Sequence, residues 1–187
     1  MSIRKEWLDH VGAGRLHRLD PFPGDRKFRT VLMSGAINRL VSGPWDEDEM
    51  GIRCGKLLAK LQRIVRGETL VVCMEPFKAR GAAIGRLEPI EDSTFDIRDR
   101  DEPGLRVFCR FAEKDVVVAL VCAPRSVQVL WLPRLPLGDR YSREWRWGIA
   151  ECRNQWSQLF PAHDPVKGDN LDDYLSNAVP ERIGSGT

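Results

Sequence analysis

The chain has 187 residues, with 29 basic and 27 acidic side chains and a formal net charge of +2. This balance lacks the basic bias of dedicated nucleic-acid-binding proteins. No apolar run reaches the roughly 18 residues of a membrane-spanning helix, and the charged start is unlike a signal peptide. The five cysteines form no CxxC pair. We therefore expect one cytoplasmic domain with reduced core cysteines and with neither a metal site nor a cofactor.

The first 45 residues are predicted to be helical or irregular, and a long helix follows them. Apolar spacing predicts a short helix over residues 3–11, and residues 26–41 are interpreted as a short helix followed by a strand-like piece. A capping box of Asp46 and Glu49 predicts a helix over 46–66. This helix is predicted to carry an apolar stripe of Ile52, Leu57, Leu58, Leu61, Ile64 and Val65. Its opposite, basic face is either solvated or able to bind an acidic ligand.

A buried strand is predicted over residues 69–74, where β-branched residues are frequent. The next segment, 78–86, is basic and contains glycine. Glycine lets the backbone approach a phosphate closely, so Lys78, Arg80 and Arg86 are candidate nucleic-acid contacts. The alternative interpretation of this segment is a flexible surface connection.

The centre of the chain, residues 94–122, is predicted to be an antiparallel meander of three strands. Residues 105–111 alternate between apolar and polar side chains except at Phe108, and residues 116–122 are continuously apolar. The polar residues 112–115 between them have the length of a hairpin loop. A loop of four residues predicts the cross-strand pairs Phe111–Val116, Cys109–Val118 and Val107–Leu120.

A row of arginines accompanies these strands. Its members are candidate catalytic or phosphate-binding residues, namely Arg98, Arg106, Arg110 and Arg125. Arg106 and Arg110 leave the same face of one strand. One interpretation is a solvated sheet face in which the arginines pair with Asp96, Asp99 and Asp101. The other is an anion-binding surface, because the guanidinium group offers phosphate a planar fork of donors.

The C-terminal third is predicted to hold a fourth strand, a long helix and a tail. Residues 126–132 alternate as in a strand, and Ser142 is a candidate N-cap for a helix that ends near Phe160. Its apolar stripe is predicted to be buried and consists of Trp145, Ile149, Cys152, Trp156 and Leu159. Asn170 begins a short helix through Leu175, and the residues from Pro180 onward have the composition of a frayed tail.

Residues 94–125 resemble the sheet of the RelE/ParE/HigB superfamily of bacterial toxins. Residues 95–98 match a first strand that ends in arginine, 105–111 an arginine-bearing second strand, and 116–121 an apolar third strand. The resemblance makes the helix at 46–66 one of the helices packed on the sheet. It implies RNA cleavage, often on the ribosome, and a small neutralising protein as a partner. In such a reaction positive charge stabilises the phosphate and an acid–base pair moves protons, but no base is visible in the sequence.

These observations predict one α+β domain over residues 1–187, with an antiparallel sheet of about four to six strands and helices packed against it. Its parts are residues 1–45, the helix–sheet–helix region 46–160 and a C-terminal extension, 161–187. The function expected is that of a toxin-like, RNA-directed protein, with Arg106 and Arg110 binding phosphate. The alternative is a non-enzymatic accessory protein that binds another protein.

Overall fold

The predicted hairpin lies at the centre of the sheet. The computed structural model describes residues 1–76, 81–98, 104–124 and 143–181. In it β6 (Leu105–Glu113) pairs antiparallel with β7 (Val116–Pro124), which confirms the hairpin. The connection is tighter than predicted, because only Lys114 and Asp115 lie between the strands and Asp115 adopts a positive φ of 63°.

The predicted register of this hairpin is wrong. Phe111 pairs with Val117 and Cys109 with Ala119, each one residue beyond its predicted partner. Val107 pairs with Cys122, two residues beyond its predicted partner. With Glu113 opposite Val116, the shortened turn alone would displace the partners by two residues, and an irregularity between Phe111 and Glu113 reduces this to one. A second irregularity, between Phe108 and Cys109, restores the displacement to two. The displaced register still buries Phe111 with Val117 and Cys109 with Ala119, and Val107 faces the partly buried Cys122.

The sheet is larger than predicted and is mixed rather than antiparallel. The described residues contain eight strands in the order β1-β2-β7-β6-β5-β4-β3-β8. The remaining strands are β1 (Leu16–Arg18), β2 (Thr30–Ser34), β3 (Leu70–Cys73), β4 (Ile84–Arg86), β5 (Phe95–Arg98) and β8 (Ala178–Pro180). The pairs β2–β7, β3–β4 and β3–β8 are parallel. The predicted antiparallel meander is the inner part, β5–β6–β7.

The four helices of the described residues are α1 (Ile3–Gly12), α2 (Gly35–Val41), α3 (Glu49–Val65) and α4 (Arg143–Leu159). The order predicted for residues 26–41 is wrong, since a strand precedes the helix. Gly35 does not interrupt α2; it begins that helix, directly after the N-cap Ser34, whose hydroxyl accepts from Ile37 N. The N-cap predicted for α3 is also wrong, because Asp48 and not Asp46 accepts from Gly51 N, at 2.7 Å. None of these helices is long and apolar enough to cross a membrane.

Two apolar cores lie on opposite faces of the sheet. The first core joins α2, α3 and the segment around Tyr174 to the face that carries Val107, Cys109 and Phe111. The second core joins α1 and α4 to the face that carries Phe108, Val118 and Leu120. Ile149, Cys152 and Trp156 of α4 are buried and Trp145 is partly buried, which confirms the predicted stripe.

The C-terminal segment 161–181 packs against the sheet and the segment around Arg29. Val166 N donates to Phe111 O at 2.8 Å, and the hydroxyl of Ser176 donates to Asp115 at 2.6 Å. The buried Arg29 donates to the carbonyl oxygen of Asn177 at 3.1 Å. Pro180, predicted to begin a frayed tail, belongs to β8. These contacts bring β8 to the edge of the sheet beside β3.

Candidate functional site

Two arginines of the predicted row share one buried carboxylate. Arg98 and Arg106 are register partners on β5 and β6. Arg98 Nε lies 2.8 Å from both oxygens of Asp96, and Arg106 Nη1 lies 2.7 Å from Oδ2. The Asp96 side chain is completely buried. The interpretation in which the arginines pair with Asp96 is therefore confirmed for these two residues, which we call the Asp96 clamp.

The surroundings of the Asp96 clamp are closely packed. A Cβ atom on Gly85 would lie 2.5 Å from Arg98 Nη2, so a larger residue at this position of β4 would displace the Arg98 guanidinium. On the other side, Arg106 Cζ lies 4.1 Å from the centre of the Trp145 ring on α4, which is cation–π distance. The side chains of Arg98 and Arg106 are only 11% and 16% exposed. The clamp thus joins three strands and α4, and most of its charge lies inside the protein.

Arg110 has different surroundings. It is 6% exposed, its Nε donates to Thr94 Oγ1 at 3.3 Å, and its Cζ lies 5.8 Å from the centre of the Trp156 ring. No carboxylate of the described residues lies within ion-pair distance of Arg110. Burial lowers the pKa of the guanidinium, and the more distant carboxylates of Asp92 and Asp164 oppose that shift. Arg110 is separated from Arg106 by Phe108, and the two contact different groups.

The neighbours of Arg110 form a polar corner between α4 and the loops beside it. Arg153 of α4 is 54% exposed and contacts Asp92 at 3.1 Å. The indole N–H of Trp156 donates to the carbonyl oxygen of His163 at 2.9 Å. We call Arg110, Asp92, Arg153, Trp156 and His163 the Trp156 corner. The sequence separates its members by up to 71 positions, so only the packing of α4 on β6 reveals it.

One histidine of this corner also has a carboxylate partner. His163 Nε2 lies 3.4 Å from Glu6 Oε2, and their side chains are 26% and 12% exposed. A carboxylate can orient an imidazole for proton transfer. No sequence pattern connects His163 with Glu6, because α1 and the loop after α4 are far apart in the chain.

The other predicted cations do not join the row. Arg86 lies on the opposite face of the sheet, 6% exposed, where it donates to Ile90 O at 3.2 Å and lies 5.9 Å from the centre of the Tyr174 ring. Lys78, Arg80 and Arg125, the strand predicted at 126–132 and the N-cap Ser142 lie outside the described residues. The structure therefore brings Arg98 and Arg106 together and places Arg110 and Arg86 elsewhere.

The cysteines are unsuited to nucleophilic chemistry. All five are free, and four of them are buried. Burial raises the pKa of Cys122 and of Cys152 to about 12, and it raises the pKa of Cys109 as well. At neutral pH these three thiols are protonated, and the thiolate is the reactive form.

Comparisons with known proteins assign the chain to no family. No family model matches it, and neither does any curated protein or solved structure.

Proposed function

We propose that the protein is RNA-directed and that it binds phosphate at the Trp156 corner. The observation that carries this proposal is the position of Arg110, whose guanidinium is buried without a carboxylate of the described residues in ion-pair distance. A buried charge without such a partner costs free energy and adds little to folding. A bound anion would supply the missing partner.

Arg153 is the most solvent-exposed residue of this corner. It is half exposed, and it contacts Asp92, whose side chain is 15% exposed, at 3.1 Å. A phosphate group can replace the carboxylate on Arg153, because guanidinium binds both anions through the same fork of donors. Arg110 then adds a second positive charge beneath the phosphate.

The exposed face of α4 favours RNA over a small anion. Arg146 and Arg153 are both exposed and lie seven residues apart, so they share one helix face with a rise of about 10 Å between them. Trp147, beside Arg146, is 56% exposed. Single-stranded nucleic acids are bound by positive grooves combined with aromatic rings on which bases stack. This helix face offers both.

RNA binding is the main part of this proposal, and RNA cleavage is an additional activity that would need further groups. Cleavage of RNA requires an acid–base pair near the phosphate, and His163 with Glu6 is the pair that the Trp156 corner offers. The Asp96 clamp has no part in the proposal, since Arg98 and Arg106 are already tied to the sheet.

The test is titration of a fluorescent single-stranded RNA with the protein at low salt, followed by fluorescence anisotropy. We expect Arg153→Gln to weaken binding about tenfold and to reduce the salt dependence by about one phosphate contact. Arg63→Gln is the matched control, because Arg63 is 51% exposed and paired with Glu68 at 2.7 Å. Equal losses from both variants, or no RNA affinity at low salt, would contradict the proposal.

Arg110→Met separates a functional from a structural role. Methionine preserves the length and the apolar contacts of the side chain, so the variant should fold with a stability within about 1 kcal/mol of the wild type. Its RNA affinity should nevertheless fall. Gel analysis of the same RNA reports cleavage, and growth after induction in a bacterial host compares both variants with the wild type. A strongly destabilised Arg110→Met protein would show that Arg110 is needed for the fold.

A second candidate function is that of a non-enzymatic protein that binds a protein partner. The observation that favours it is the exposure of large apolar side chains at and just before the start of α3, namely Trp45, Met50 and Ile52.

A further inference from the structure

The exposed side of α4 carries a row of three residues outside the Trp156 corner. Trp147 is 56% exposed, and Ala150 and Asn154 are exposed as well. Their spacing of three and four residues places them within about 60° of one another around the helix, so they form one continuous row. Trp147 and Asn154 lie about 10 Å apart along the helix axis. We call Trp147, Ala150 and Asn154 the Trp147 stripe.

The small residue in the middle of the stripe leaves a gap between the two larger side chains. Side chains on a helix lean toward its N-terminus, so Trp147 leans away from Ala150 and Asn154 leans over it. A hydrogen bond supports the second direction, because Asn154 Nδ2 donates to Glu151 Oε2 at 3.4 Å and Glu151 directly follows Ala150. The methyl group of Ala150 is therefore the floor of a gap with an indole at one end and an amide at the other.

The amide of Asn154 is oriented by its neighbours on the helix. Its Nδ2 donates to the carboxylate of Glu151, and its Oδ1 accepts from Gln158 Nε2 at 3.1 Å. These two contacts assign the nitrogen and the oxygen of the amide. An asparagine amide has two N–H groups and two lone pairs on its oxygen, so one donor and one acceptor remain for a ligand. The other oxygen of Glu151 accepts from Gln155 Nε2 at 2.9 Å, so this carboxylate is turned toward amides on both sides.

We propose that the Trp147 stripe binds an unpaired adenine base of single-stranded RNA, an inference that rests on the proposed function. The base stacks on the indole of Trp147, lies over Ala150 and directs one edge at Asn154. Adenine has a donor beside an acceptor on two edges, where N6 neighbours N1 and N7, and both edges match the remaining acceptor and donor of the amide. Uracil and cytosine have smaller rings to stack, and the second edge of guanine has two acceptors, O6 and N7.

Arg153 connects the stripe to the phosphate of the Trp156 corner. It directly precedes Asn154 and, like Arg146, is exposed. The two arginines lie about a quarter turn around the helix from the stripe. The phosphates of a bound strand therefore follow the arginines while its bases turn toward Trp147, as in other sites that combine positive charge with stacking. The positive charge beside the stripe complements an RNA backbone and favours RNA as the occupant.

The experiment measures fluorescence anisotropy of the full chain with oligoadenylate, oligouridylate and oligocytidylate of about ten nucleotides each, at low salt. We expect oligoadenylate to bind about tenfold more tightly than the other two. Trp147→Ala should weaken the binding of all three oligomers about tenfold, because every base can stack on an indole. Asn154→Leu preserves the size of the side chain but removes the amide. It should abolish the preference for adenine and change the affinity for oligouridylate by less than about twofold.

Trp45→Ala is the matched control, because Trp45 is also an exposed tryptophan, at 37%, and lies outside α4. All substituted side chains are exposed, so the variants should keep the wild-type circular dichroism spectrum. Equal affinity for the three oligomers, or equal losses from Trp45→Ala and Trp147→Ala, would overturn this inference and leave phosphate binding at the Trp156 corner standing. Absence of affinity for every oligomer would overturn the proposed function as well.

Discussion

Removing the carboxylate of Asp96 tests whether the Asp96 clamp supports the sheet. Asp96→Ala leaves two largely buried guanidinium groups facing the space of a completely buried carboxylate. Each arginine loses a charge-assisted hydrogen bond of 2.7–2.8 Å. Such bonds contribute about 1.5–3 kcal/mol each, and breaking a buried ion pair typically costs about 3–5 kcal/mol. We expect the free energy of unfolding to fall by about 3–5 kcal/mol.

Urea denaturation followed by circular dichroism measures this loss. Asp164→Ala is the control, because Asp164 pairs with Lys167 at 2.7 Å while 78% exposed. That surface pair should contribute less than about 1 kcal/mol. Asp96→Asn should fall between the two, since the amide keeps one acceptor oxygen but turns donor hydrogens toward a guanidinium. If Asp96→Ala costs no more than Asp164→Ala, the clamp does not stabilise the sheet and our account of it is wrong.

Two further predictions concern the packing of α4. A Cβ atom on Gly148 would lie 2.3 Å from a ring carbon of Phe108, so Gly148→Ala should lower the free energy of unfolding by about 1–3 kcal/mol. Gly12→Ala, where nothing lies within 4 Å of the added atom, should be neutral or slightly stabilising; similar effects would show that α4 does not pack closely on β6. Trp156→Ala should cost about 3–5 kcal/mol because Trp156 is 2% exposed. Trp147→Ala, at 56% exposure, should change stability by less than about 0.5 kcal/mol, and equal shifts in the denaturation midpoint would contradict the assigned burial.

The sequence predicted the parts of the fold that depend on local pattern. The period-two alternation of β6 corresponds to a strand and the 3,4 spacing of Ile149, Cys152 and Trp156 to one buried helix face, and both predictions are confirmed. The same reasoning failed for Ile52, which has the right spacing for the stripe of α3 but lies on the exposed side. Spacing within one turn does not determine which edge of a stripe the sheet covers.

Sequence patterns did not predict the contacts between segments that are distant in the chain. The hydrogen bonds of β2 to β7 and of β3 to β8 join residues far apart in the chain, and no local pattern indicates that such strands are parallel neighbours. The register of the hairpin failed for a related reason. With apolar side chains on both faces of β7, the hydrophobic pattern that normally fixes register gave no preference.

The arginine row shows why a candidate site needs the tertiary structure. Arg106 and Arg110 lie on one strand, point to one face and are chemically identical, so sequence reasoning assigned them the same role. What separates them is the neighbouring residue: Asp96 of β5 lies within reach of Arg106, and Thr94, directly before β5, lies within reach of Arg110. A carboxylate satisfies a buried guanidinium and makes it a structural element, whereas a hydroxyl satisfies one donor and leaves the charge without a counterion. We therefore propose Arg110, and not Arg106, as the anion-binding arginine, with Arg153 of α4 as the exposed positive charge near it.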